Sequence, residues 1–291
     1  MSSLLSINKF LIFFSYDLRE PLQYAFMQRS LIVAIAVGLL CSIVGSYLMV
    51  QRLALLGDAI SHSVMPGIAF AFAYKIPIIL GALLAAILST LLITWLNEAF
   101  PLKEDTLIGI VFATFFALGI ILISLIQKKN KIDLNHFLFG NILGVSLEDV
   151  VATSIICGAV LMIITFLYKE LLFYTFDPLG AEALGLPVKQ LNFCLMALVA
   201  LTTVASMKAV GVVLVLALLI IPSASAYLLV SRLDQIMTIA STIGIISSIM
   251  GMYISYFFNI PSGPAIVIIA SLFFCIVLAI YKISQISINK N

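Results

Sequence analysis

An aspartate and a histidine stand four residues apart, at positions 58 and 62, within a stretch that otherwise reads as a membrane-crossing helix: Gln51-Arg-Leu-Ala-Leu-Leu-Gly-Asp58-Ala-Ile-Ser-His62-Ser-Val-Met-Pro66-Gly67. On a helix, residues four apart stack on one face, so the carboxylate and the imidazole project side by side and can serve one small cation together. Pro66 follows four residues later. Lacking an N–H, it cannot bond back to the His62 carbonyl, which leaves a backbone acceptor beside the imidazole, and Gly67 lets the chain bend there. An ionisable side chain at membrane depth costs about 3 kcal/mol on insertion scales, which marks it as functional and facing a bundle interior or an aqueous path. The plainer alternative places Asp58 at the membrane surface near Arg52, with His62 as a hydrogen-bonded bundle residue.

Asp58 is the sole carboxylate and His62 the sole imidazole within any expected span. A divalent first-row metal takes about four to six ligands, and an Asp/His set suits manganese, zinc or iron rather than the alkaline earths. One chain is therefore short of donors. A two-fold axis beside this helix would bring two aspartates and two histidines together, so a homodimer is expected, with the metal as transported substrate and no permanently bound cofactor. The absence of a thiolate near the motif favours manganese over a softer ion. The chain has no Gly-x-x-x-x-Gly-Lys-Ser/Thr phosphate loop, no His-Glu-x-x-His and no Gly-x-Ser-x-Gly, so energy must come from elsewhere and enzyme activity ranks well below transport. The competing reading is a secondary proton-coupled transporter in which Asp58 and His62 relay protons; a purely structural membrane protein would tolerate the loss of both.

Composition supplies the setting. Of 291 residues, 63% are hydrophobic and 10% charged, against roughly 45–50% and about 25% in soluble domains. The sequence is that of an all-α polytopic membrane protein, one transmembrane domain over residues 1–291 with no room for a separate soluble one. The net charge of +2 is scattered, with no basic stripe to indicate a nucleic-acid partner. Cys41, Cys157, Cys194 and Cys275 fall in apolar runs without CxxC spacing and read as small core residues. Residues 1–28 are expected as an N-terminal segment lying in the lipid interface, with Phe10, Phe13, Phe14 and Tyr16 at headgroup level. Neither a cleaved signal nor a transit peptide is evident there, which suits a bacterial cytoplasmic membrane, or a plastid membrane if the protein is organelle-encoded.

At about 20 apolar residues per crossing, the sequence offers eight to nine spans: 31–50, 53–74, 77–96, 107–126, 150–168, 191–207, 209–230, 236–258 and 265–281. Residues 127–146 are too short of apolar sequence to cross and read as re-entrant or interfacial; His136 within them is left outside the site. In the connection 169–190, Asp177 is a good N-cap, Pro178 suits the first helical position, Gly185 can close in the left-handed conformation and Pro187 prevents continuation, giving a helix of about two turns. In the seventh span Pro222 frees the Leu218 carbonyl and is expected to kink the helix, while Ser223 to Ala226 allow close packing. The positive-inside rule decides nothing: of the 15 Lys and Arg, seven fall on one side and eight on the other.

The run from Gln51 to Gly67 resembles the signature of the membrane permeases of bacterial manganese, zinc and iron ABC transporters. Leu138-Phe-Gly-Asn-Ile-Leu, Gly211-Val-Val-Leu-Val-Leu-Ala-Leu-Leu-Ile-Ile-Pro222 and Ile260-Pro-Ser-Gly-Pro-Ala-Ile-Val267 resemble the same family, so that the likeness covers essentially the whole chain. The same resemblance leads one to expect an acidic residue at position 259 in many relatives, from which Asn259 departs. The resemblance implies a permease dimer, cytoplasmic ABC ATPase subunits beneath it and an extracytoplasmic metal-binding lipoprotein that delivers the ion. It further implies that residues 169–190 form the cytoplasmic coupling loop, with Ala181, Glu182 and Gly185 seated in the ATPase cleft. Arg52 would then lie on the cytoplasmic side and residues 127–146 outside, with Pro66, Gly67 and Pro222 as helix breaks along the path.

Overall fold

A computed structural model describes residues 20–53, 56–127 and 142–288. Backbone amides in a bilayer must be satisfied within the segment that carries them, and the described residues answer with helices and no strand. Twelve α-helices occur among them: α1 (Ala25–Val50), α2 (Leu56–Ser63), α3 (Met65–Tyr74), α4 (Ile78–Ala99), α5 (Glu104–Gln127), α6 (Leu147–Phe166), α7 (Tyr168–Phe176), α8 (Pro178–Ala183), α9 (Val188–Val210), α10 (Val212–Leu229), α11 (Leu233–Phe258) and α12 (Ser262–Ile288). Eight of these, α1, α4, α5, α6, α9, α10, α11 and α12, are long and apolar enough to cross a membrane.

The expected second span, 53–74, is not one helix. It is divided into α2 and α3 around Val64, two residues before Pro66, which sits inside the first turn of α3 where a missing N–H costs nothing. The first crossing also starts earlier than expected, at Ala25 rather than 31. Residues 1–19 of the expected interfacial segment, and His136, lie outside the described residues.

Helix ends follow local chemistry. Ser146 caps α6 reciprocally with Asp149, its hydroxyl accepting from the Asp149 N–H. Gly211, at φ 83°, divides α9 from α10, a backbone conformation that glycine adopts without a steric penalty. Asn259 closes α11 at φ 53°, the left-handed cap that asparagine tolerates better than most side chains.

Helix α1 is the axis of the bundle, packed by α10 and α11 on one side and by α6 and α9 on another. Small residues bring these helices close. A β-carbon on Gly38 would meet Ser248 Oγ at 2.7 Å and the Gly244 carbonyl at 2.9 Å. Ser223 Oγ donates to the Ser42 carbonyl at 3.1 Å, so the Ser223–Ala226 run packs as its composition predicts. A second group, α2, α3, α4 and α5, joins this core through α9, which touches both α2 and α4. Cys41 and Cys157 are buried and Cys194 half-buried, whereas Cys275 is exposed on α12, facing out of the bundle rather than into its core.

Candidate functional site: a carboxylate and an imidazole within the bundle

Within α2 the residues Leu56, Gly57, Ala59, Ile60, Ser61 and Ser63 are buried. Only Asp58 and His62 stay partly open, on the one face that continues through half-buried Pro66 and Gly67 of α3. Asp58 Oδ1 and His62 Nε2 are 3.5 Å apart, with side-chain exposures of 42% and 21%. The neighbouring serines do not compete for the carboxylate. Ser61 Oγ donates to the carbonyls of Gly57 and Asp58, and Ser63 Oγ to that of Ala59.

Packing fixes the depth. A β-carbon on Gly57 would touch Leu219 of α10 at 3.0 Å, and Gly45 of α1 abuts the carbonyl of that same Leu219. Asp58 therefore lies level with a point five residues inside the end of α1 and ten inside the end of α10, about 8 Å and about 15 Å by helical rise. His62 is one turn further along, its ring against Phe112 and Phe116 in the middle of α5. Arg52 is exposed beyond the end of α1, at φ 63°.

Chemically, the pair offers one carboxylate and one imidazole. Among the described residues, no His, Cys, Asp or Glu joins them to make a group of three. Pro222, the other expected break, is buried within α10, which runs unbroken from Val212 to Leu229.

Two of the features that frame this site, the Gln51–Gly67 run and the Gly211–Pro222 run, are those through which the sequence resembles metal ABC permeases. The model of the ABC 3 transport family matches residues 23–281. The chain belongs to that family. It is 45% identical over 255 residues to "Manganese transport system membrane protein MntC" of Listeria monocytogenes, covering 88% of this chain and 90% of the relative. It is 54% identical over 260 residues to "Uncharacterized membrane protein in ycf23-apcF intergenic region" of Cyanophora paradoxa, 89% of this chain and 87% of the other. Among solved structures, a chain of "PsaBC from Streptococcus pneumoniae in complex with Fab" superposes with TM-score 0.78 at 40% identity, covering 87% of this chain and 91% of that one. The ABC 3 protein described here is thus an integral membrane protein with the helical bundle of an ABC permease.

A second feature of this ABC 3 chain is the connection between α6 and α9. The short capped helix forms as its residues predict: Asp177 Oδ1 accepts from the Gly180 N–H at 2.9 Å, Pro178 opens α8, and Gly185 turns at φ 79° while the Leu186 N–H returns to the Ala181 carbonyl. Ala181 is fully buried against its own chain, whereas Glu182 is exposed, as are Leu179 (79%) and Leu184 (74%), two apolar side chains that the sequence reading did not single out. The connection also holds α7, expected as loop, although Tyr-Lys-Glu-Leu-Leu-Phe-Tyr-Thr-Phe contains neither Gly nor Pro to interrupt a helix. Beside α7 two crevices open, of about 530 and 570 Å³; Phe176 and Ser231 border both, Arg52 the first and Tyr168 the second. Burial pushes the Tyr168 phenol above its ordinary pKa, reinforced by Asp234 and opposed by Arg232.

Proposed function

We propose that this chain is the permease subunit of an ATP-driven importer of a divalent transition metal, with manganese as the principal cargo, and that two copies form the path. The observation that carries the reading is Asp58, 42% exposed beside His62 and level with a point about 8 Å inside the end of α1. A carboxylate left open to lipid at that depth costs about 3 kcal/mol, so its open side calls for a polar or cationic neighbour. A second copy of α2 related by a two-fold axis supplies one, and the paired Asp58 and His62 side chains make up four donors for a passing ion. Carboxylate and imidazole without thiolate suit manganese, and the Listeria relative's name supports that cargo; zinc and ferrous iron accept the same donors.

The ATPase that would power transport docks, in this reading, on the end of the bundle that carries α8. Leu179, Glu182 and Leu184 face the partner, with Ala181 buried behind them and Gly185 setting the turn. In this reading Arg52 lies on the cytoplasmic side, and a metal-binding lipoprotein would deliver the ion at the opposite face. The test is uptake of radioactive manganese by cells carrying the chain with and without the ATPase subunit, with zinc and ferrous iron as competitors. Uptake that requires the ATPase supports the reading. Uptake that persists without it and follows an inward proton gradient would replace it with a proton-coupled transporter.

A further inference from the structure

The imidazole of His62 is held in an unusual way for a metal ligand. Its Nε2 faces Asp58, while its Nδ1 is closed off from solvent and has no hydrogen-bond partner. A histidine that retains a resident metal ordinarily donates its second ring N–H to a carboxylate or carbonyl, which fixes the ring and raises its basicity; loss of such a partner typically costs about 10–100-fold in affinity. Here the neighbours of the ring are hydrocarbon. Phe112 lies 5.5 Å away between centroids at 57°, and Phe116 5.2 Å away edge-on at 78°. The two phenyl rings stand one turn apart on α5 and stack on each other at 5.9 Å and 23°.

We infer that Phe112 and Phe116 are positioning residues that clamp the His62 ring with Nε2 toward Asp58 and leave Nδ1 without an acceptor, so that the imidazole ligates a passing divalent metal in a fixed direction but weakly enough to release it. This rests on the reading of Asp58 and His62 as the metal path. Edge-to-face packing fixes the plane of a ring as a hydrogen bond would, but without the charge transfer that strengthens a ligand. Leucine at either position keeps an apolar wall of similar bulk and loses the planar face. The ring of His62 is then free to turn Nε2 away from the ion.

The test uses the purified transporter complex, titrated with Mn(II) alone. The nitrogen-14 modulation in the electron spin echo of bound Mn(II) reports imidazole coordination directly, and loss of the free-ion signal reports affinity. The wild-type complex should show the modulation and His62→Gln should lose it. In Phe116→Leu and Phe112→Leu the modulation should fall and the apparent Kd rise about 10-fold, with thermal stability kept and Phe116→Tyr restoring both readings. Leucine variants with wild-type modulation and affinity would overturn the clamp while leaving the metal path standing. A wild-type complex whose modulation is absent, or unchanged by His62→Gln, would overturn the ligand assignment and the clamp with it.

Discussion

Gly67 of α3 and Gly81 of α4 face each other so closely that a β-carbon on either would collide with the carbonyl of the other. Ala71 and Ala85 extend the same contact, and Gly119 of α5 meets Met65 on the other side of α3. The short helix after the break at Val64 is thereby clamped between two long ones, which holds the open face of α2 in place. Gly67→Ala or Gly81→Ala should cost about 1–3 kcal/mol as overpacking, read as a lower melting temperature in detergent together with reduced manganese uptake. Gly109→Ala is the control, since a β-carbon there meets nothing within 4 Å, and it should be nearly neutral.

Gly185 turns α8 back toward α9 at φ 79°. A β-branched residue there pays about 1–2 kcal/mol for the left-handed conformation, and Gly185→Val should displace α8 while leaving the distant Asp58–His62 pair intact. Manganese binding should persist while transport-coupled ATP hydrolysis falls several-fold. Normal coupling in this variant would reduce the segment to a connector.

Leu179 and Leu184 expose 79% and 74% of their surface on the same short segment. Leu179→Ser with Leu184→Ser should leave the melting temperature of the permease alone unchanged and weaken ATPase association about 100-fold or more, as loss of two apolar anchors at roughly 1.5–3 kcal/mol each implies. Co-purification and binding titration measure it, and undiminished association would move the docking surface elsewhere.

The sequence made the crossings and the α8 caps legible because both rest on local rules: about 20 apolar residues per span, and Asp177 and Gly185 at positions where a cap needs a side-chain acceptor or a left-handed backbone; the caps at Ser146 and Asn259 emerged only with the structure. The break in the second crossing was visible as Pro66-Gly67, but its place was not. Proline is welcome in the first turn of a new helix, so the discontinuity falls before it, at Val64. Asp58 and His62 stood out by type and spacing alone. Phe112 and Phe116 did not, because an aromatic pair in a span is indistinguishable from ordinary packing until the fold sets it against an imidazole. The buried side of α8 was likewise hidden: six residues are too few for a periodicity, and the burial of Ala181 depends on how α8 docks against its own chain.

The open face of α2 gives the dimer reading a specific signature. Single cysteines at 58, 62 and 66, which lie on that face, should cross-link between copies in the membrane, whereas cysteines at the buried positions 57, 59 and 60 should not. Cross-linking without this periodicity, or none, would mean that α2 does not face its symmetry mate.

The central claim is that the metal passes Asp58 and His62. Its most direct measurement is uptake of radioactive manganese and zinc into vesicles containing the complete transporter, with ATP supplied and the proton gradient collapsed, comparing wild type with Asp58→Asn and His62→Gln. Asp58→Asn keeps the size and one carbonyl oxygen but removes the charge, and in a dimer each substitution removes half of the four donors at once. The expected result is robust uptake by the wild type and at least about a 100-fold loss in either variant, the equivalent of roughly 3 kcal/mol for a charge-paired ligand. Robust transport by Asp58→Asn would contradict the assignment of this pair as the metal path.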